Sequence, residues 1–409
     1  MRIGRTLPPA AAPLRCRDLC HGVLGLVSPE ESVRALEDSI RDYFGARHVF
    51  LVSSGKAALT MTLMGLKASS PRTDVIIPAY TCYSMPAAVI SAGLNPVLCD
   101  INPSTFDFDH EQLAATVTDN TLCMVAHHLF GIPSDIERVR ALCHPRGITV
   151  IEDAAQAMGV EARGRKLGTL GDVGVFSLGR GKNITCGSGG IVITDSDAIG
   201  KALKSQCPRL QSPMRGESLV DLAKLVCMAI FIRPRLYWIP NAMPFLRLGQ
   251  TIFPKAVAVK RLSGMQAGLL HDWRRQLTQS NQRRSETSAS VSRCLSLRLP
   301  EGPSHPYLRV PVMAATPQGR DRIHSFAARR GLGVSRAYPT PINEIPEIKH
   351  LFGGRRFPTA RLVSEHIFTV PTHQWLSEKD QRAIAECVDP AVTVVRRVPA
   401  LATRRVSFQ

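Results

Sequence analysis

Apolar residues recur along this chain with two periods, and each period marks one kind of element. Ser28-Pro29-Glu30-Glu31 offers a helix N-cap, a proline at the first helical position and a capping-box glutamate. Val33, Leu36, Ile40 and Phe44 follow at helical spacing, and Gly45 stops the run. Short β-branched runs then alternate with helical stretches. Strands are predicted at 48–52, 75–77, 97–100, 122–127, 149–152, 173–178 and 190–194, and helices at 57–67, 85–92, 109–117, from Ser134 to 143, and at 195–205. Such alternation implies crossover units on a mostly parallel central sheet with flanking helices, an α/β fold. After Pro208 the rhythm breaks into an apolar insert to 254, a helical run at 262–277 and mixed elements to about 389, which predicts a smaller α+β C-terminal domain. The expected division is a poorly ordered N-terminal arm (1–27), a large domain (28–207), an insert with a connecting helix (208–269) and a small domain (270–409).

Two apolar tracts need a decision about membranes. Residues 75–99 hold no charged side chain but contain Pro78, Pro86, Gly93, Asn95 and Pro96, so they read as buried strand, turn, helix and strand. The tract 219–254 is broken by Lys224, Arg233, Arg235, Arg247 and prolines. It is too interrupted to span a bilayer; packing in a dimer or domain contact is the simpler expectation, and peripheral contact with an inner membrane is the alternative.

Charge and cysteine content narrow the classes. The 409 residues carry 51 Lys plus Arg against 33 Asp plus Glu, a net charge of +18, and 40 of those basic residues are Arg. This field attracts anions of any kind. No basic block is interleaved with aromatics, which make up 6% of the chain, so a nucleic-acid-binding protein is disfavoured. The 11 cysteines include no C-x-x-C pair, which fits a reducing cytoplasm and no metal site; Cys16, Cys20 and His21 cluster without a second ligand pair.

Three segments carry candidate chemistry. In 52–58 a strand end turns into a helix at Ser54, Gly55 and Lys56, where helical N–H groups can cradle an anion. In 148–156 an apolar strand ends in Glu152 and Asp153, and ligands of open α/β sheets sit beyond the carboxyl ends of strands. In 171–190 a glycine-rich stretch carries Lys182; Phe176 and Asn183 stand where a nucleotide P-loop would need Gly and Ser or Thr, so that motif is absent. An anion cradle, a strand-end carboxylate and a lysine together match what pyridoxal phosphate requires of a protein.

Several ordered motifs carry a resemblance to a known family. They are 53–59 (Ser-Ser-Gly-Lys-Ala-Ala-Leu), 75–81, 128–131, 150–156, Gly171-Asp172 with Phe176-Ser177, Lys182-Asn183, 261–266 and Phe357-Pro358. On these the chain resembles the DegT/StrS-type nucleotide-sugar aminotransferases, which are pyridoxal-phosphate enzymes of fold type I. The resemblance implies Lys182 as the lysine bonded to the cofactor, Asp153 on its ring nitrogen, Gln156 near its phenolic oxygen, and Ser54, Gly55 and Ser177 around its phosphate. It further implies a homodimer, an amino-acid donor such as glutamate and a nucleotide-linked keto-sugar acceptor in surface-polysaccharide or glycoconjugate synthesis. Lys56, Asn183 and Arg261 belong to the same motifs and are candidate cofactor contacts. The pattern departs at Cys82, where an aromatic usually stacks on the ring, leaving Tyr80, Tyr83 or the thiol to contact it. It also departs at Val259, at Gly179-Arg180-Gly181 before the lysine, where Arg180 is a candidate phosphate contact, and at Ala337 before Tyr338-Pro339. A sugar dehydratase of the same fold would carry histidine in place of Lys182.

Overall fold

The structure is a computed structural model and describes residues 2–388 apart from 13, 247, 250 and 255. The strands are β1 (His48–Val52), β2 (Asp74–Pro78), β3 (Asn95–Cys99), β4 (Thr121–His127), β5 (Thr149–Asp153), β6 (Glu161–Ala162), β7 (Arg165–Lys166), β8 (Val173–Ser177), β9 (Gly190–Thr194), β10 (Arg309–Met313) and β11 (Ile367–Pro371). Seven of them form one sheet in the order β1-β9-β8-β5-β4-β2-β3. Only β9 runs against the rest, pairing antiparallel with both β1 and β8, while the other four pairings are parallel. Helices on both faces explain why β2 and β4 read as unbroken apolar runs: residues 75–78 and 121–127 are all buried. The tract at 75–99 is β2, the helix Ser84–Ser91 and β3, as its prolines predict.

The smaller α+β part pairs β10 and β11 antiparallel, with helices Pro317–Arg330, Pro358–His366 and Glu378–Cys387 around them. The long helix Trp273–Cys294 leads into it. The expected single run at 262–277 is instead two helices, Gly264–Leu269 and this one, parted at 270–272. The helix predicted to be capped by Ser134 starts at Ile136 with Asp135 as its cap, because the Ser134 hydroxyl is taken by Asp107.

The arm differs most from expectation. Residues 16–27 form a helix packed on Gly264–Leu269, and Gly25 lies so close to Gly264 that a Cβ there would meet its carbonyl at 2.1 Å. Upstream, Leu7, Ala11, Ala12 and Leu14 are buried. Leu7 N–H donates to Gly331 O at 2.8 Å, and Arg5 makes a two-point ion pair with Asp380 at 2.6 and 2.7 Å. The insert holds the helix Arg215–Phe231 and a short helix Trp238–Asn241. Among the described residues no helix is long and apolar enough to cross a membrane. Arg247 of the insert, and the end of the expected small domain from 389 on, lie outside the described residues.

Candidate active site

Register brings five chain segments to one edge of the large sheet. His127 pairs with Asp153, Asp153 with Val175, and Gly190 with both Ser177 and Val52. The segment after β1 therefore turns into its helix directly beside the end of β8. Ser54 caps the helix Gly55–Lys67, its Oγ accepting from Ala57 N–H at 3.1 Å. The first helical N–H groups have no intrahelical acceptor and point outward with the positive end of the dipole. Gly55 is needed there: a Cβ would stand 2.6 Å from Ser177 Cβ and 2.9 Å from its Oγ. Ser54, Gly55 and Ser177 thus form one small cradle, with Lys56 half-buried in its first turn.

Asp153 ends β5 with one carboxylate oxygen accepting from Ala155 N–H at 3.0 Å, while its carbonyl accepts from His128 N–H at 3.0 Å. Glu152, the previous residue, points to the other face and is fully buried. It binds His128 Nε2 at 2.9 Å and accepts from the N–H groups of Gly168, Leu170 and Gly171. Burial pushes this carboxyl up, but His128 and the backbone donors outweigh that and hold it below the usual carboxylate range. The pair is scaffold, and it fixes the strand whose last residue is Asp153. Beside it, the His127 ring is pushed down by burial, against the pull of Phe106 O and the Asp153 charge.

Lys182 lies in the turn between β8 and β9 and is half-buried; among the described residues no carboxylate forms a salt bridge with it. Its backbone is anchored instead. Arg284, buried in the long helix, donates to Lys182 O at 3.3 Å, Ala11 O at 3.1 Å, Leu308 O at 2.8 Å and Thr372 Oγ1 at 2.9 Å. Burial pushes this guanidinium down to about 10. Gly181, at φ +76°, leaves room for Ala10, whose Cβ would be 2.8 Å from an added side chain. Asn183 is buried, donates to Asn281 Oδ1 at 2.8 Å, and keeps its own Oδ1 without a partner.

Gln156 accepts from Phe130 N–H at 3.2 Å and donates to Tyr338 Oη at 3.1 Å. Tyr338 comes from the small part of the chain and was missed in the sequence except as the neighbour of Ala337. Its hydroxyl is pushed well up by burial, and Cys82, Tyr80 and Asp153 act on it in the same direction. Cys82 is half-buried with its thiol 2.7 Å from Ser84 Oγ. Tyr80 is not brought to the cofactor side: it is fully buried beneath Tyr338, its hydroxyl 3.3 Å from both the Tyr338 N and O. Tyr83 lies against Tyr338 with ring centroids 6.5 Å apart and bonds Thr340 Oγ1. Arg261 is exposed and donates to Cys207 O at 3.1 Å, away from the cradle, although its backbone bridges to Val52. Arg180 is exposed. Cys16 and Cys20 are exposed, and no metal-binding cluster occurs among the described residues.

Residues 25–216 match the DegT/DnrJ/EryC1/StrS aminotransferase family. A GDP-perosamine synthase from Caulobacter vibrioides is 34% identical over 185 residues, 45% of this chain and 50% of that protein. In fold, the chain is similar to the sugar aminotransferase CalS13 from Micromonospora echinospora, with TM-score 0.74 and 20% identity over 93% of this chain and 99% of that one. It is equally similar to the E. coli GDP-4-keto-6-deoxy-D-mannose-3-dehydratase with bound hydrated PLP, with TM-score 0.74 and 18% identity over 94% of this chain and 100% of that one.

Proposed function

We propose that this chain, which belongs to the DegT/DnrJ/EryC1/StrS aminotransferase family through residues 25–216, is a pyridoxal-phosphate-dependent transaminase that moves an amino group from an amino acid, glutamate first among candidates, to a nucleotide-linked keto-deoxysugar. The observation that carries the reading is the meeting of Ser54, Gly55, Ser177 and Asp153 on one sheet edge, with Lys182 in the turn leaving it. The residues fit the cofactor. Gly55 is kept bare by Ser177, the helix start has free donors, and Asn183 Oδ1 is a buried acceptor still without a donor.

Pyridoxal phosphate supplies an aldehyde that takes up the amine and a ring that draws electrons from the substrate carbon. The chain's own groups do the rest. Ser54, Gly55 and Ser177 bind the phosphate through hydroxyl and N–H donors, with Lys56 adding charge. Asp153 holds a proton on the ring nitrogen, and Gln156 donates toward the phenolic oxygen. Lys182 Nζ would be the covalent anchor of the cofactor and, as general acid and base, would hold or give the proton exchanged with the donor carbon. Arg284 keeps the Lys182 backbone still while its side chain works.

The +18 field suits any anionic acceptor, a diphosphate-linked sugar among them, and the family match favours the sugar. The working unit is a homodimer in the cytoplasm, serving surface-polysaccharide or glycoconjugate synthesis, with 28–207 as its cofactor-binding domain. The dehydratase reading needs histidine where Lys182 stands, so the aminotransferase reading is preferred. The test is to load the enzyme with amine from glutamate and then offer nucleotide keto-sugars beside pyruvate and 2-oxoglutarate. Discharge by a nucleotide keto-sugar is expected; discharge by the keto acids alone would overturn the acceptor assignment.

A further inference from the structure

The helix Arg215–Phe231 turns an apolar side to solvent, the reverse of what a surface helix of a soluble protein does. Its inward side holds Ser218 and Leu225, and Leu225 packs so tightly on Gly187 that a Cβ there would stand 2.3 Å from it. Its outward side carries Leu219, Val220, Ala223, Cys227 and Ile230 at helical spacing. Among the helix's described exposed side chains, Lys224 is the one that is charged. The helix Cys16–Val27 packs against it and repeats the inversion. Its buried positions are Asp18, Gly22 and Gly25, while Cys20, Val23, Leu24 and Val27 are exposed, Leu24 at 59% and Val27 at 76%. Soluble proteins seldom leave a contiguous apolar surface uncovered.

Charge says what covers it. From 222 to 271 the chain holds seven Lys and Arg and no Asp or Glu. The two acids of the helix just before that run are tied up, Asp221 with Lys224 at 2.9 Å and Glu217 with Lys260 at 3.0 Å. Arg233 and Arg235 follow the helix and are exposed. A two-fold contact would press the same patch of both subunits together and set these cations against one another. Anionic headgroups meet them with opposite charge, and the apolar stripe can enter the acyl boundary beneath. Lys224 sits within the stripe, but its long stem lets the ammonium reach the headgroups while its neighbours go deeper. With 17 residues the helix is about 26 Å long, short of a hydrocarbon core of about 30 Å, so it fits along the surface and not across it.

We propose that the outward faces of Cys16–Val27 and Arg215–Phe231, with Arg233 and Arg235 at the end of the second helix, form a docking surface for an anionic lipid bilayer. The helices lie in the headgroup plane, held by shallow burial of the stripe and by the cations around it. The proposal does not rest on the transaminase reading, and its test needs no cofactor or substrate.

The experiment sediments the full-length protein with vesicles of phosphatidylcholine plus phosphatidylglycerol and with vesicles of phosphatidylcholine alone. Binding at low salt should be roughly 10-fold or more stronger to the anionic vesicles, and added salt should weaken it. Leu219→Ser with Ile230→Ser should weaken that binding about 10- to 100-fold through lost apolar burial. Arg233→Gln with Arg235→Gln should weaken it roughly 10-fold; both side chains are exposed, so this variant keeps the test decisive even where the serine substitutions disturb folding. No binding at low salt overturns the proposal, and so does equal binding to neutral vesicles. Binding that neither variant reduces would come from the general +18 field and not from this face, and it too overturns the proposal. Light scattering without vesicles settles the rival occupant. Wild type and the serine variant should have the same mass, whereas a lower mass for the variant would show that a second copy covers the stripe and would overturn the proposal.

Discussion

Residues 5–15 and the tract 214–254 both mix prolines, arginines and short apolar runs, yet they end in opposite surroundings. The first is drawn into the protein. Leu7 is 1% exposed, His373 Nε2 lies 2.9 Å from Pro8 O, and Thr6 N–H donates to Pro234 O at 2.8 Å. The second keeps part of its apolar surface outside: Leu219, Val220 and Ile230 stand out from one helix, and Phe245 is 76% exposed. Hydropathy within a short window therefore does not decide burial. What decides it is whether distant parts of the chain offer a matching surface. For the first segment they do, at Gly331, Gly333 and Asp380, more than 300 residues away.

This contrast can be broken by experiment. Leu7→Ala should cost about 2–4 kcal/mol in urea denaturation, the price of a cavity in a packed core; a near-neutral result would mean the segment only lies on the surface. Arg5→Ala should cost less, roughly 1–2 kcal/mol at neutral pH, because it strips a charged partner from Asp380. Burial raises the Asp380 carboxyl, but the hydrogen bonds from Arg5 and Ser377 outweigh it and hold it below its ordinary value. The contribution is therefore complete above the unfolded carboxylate's pKa, about 4, and is lost as pH falls through the lower folded value. Wild type and Arg5→Ala should converge in acid melts and separate on neutralisation. The double variant Leu219→Ser with Ile230→Ser should change monomer stability by no more than about 0.5 kcal/mol per site, as exposed positions do; a large loss would show that this face is packed like the first segment.

The same reasoning explains what was legible in the sequence. The sheet was, because each strand and helix carries its own period and the crossover rule orders them. The cradle and Asp153 were, because strand ends and a Ser-Gly helix start are local signals. The cap at Asp135 was misplaced to Ser134 because the hydroxyl's partner, Asp107, is 27 residues upstream. Tyr338 meets Gln156 across 182 residues and Arg284 meets Lys182 across 102, so nothing near either residue announces the contact. Tyr80 was chosen for its aromatic ring, but full burial of the ring under Tyr338 gives it to the core.

The central claim is that Lys182 is the covalent anchor of the cofactor, and borohydride reduction followed by peptide mapping tests it most directly. Wild-type protein should show visible cofactor absorbance and carry the reduced adduct on Lys182, while Lys182→Ala should keep its fold by circular dichroism and carry none. An adduct on any other lysine, or one that survives in Lys182→Ala, would contradict the account.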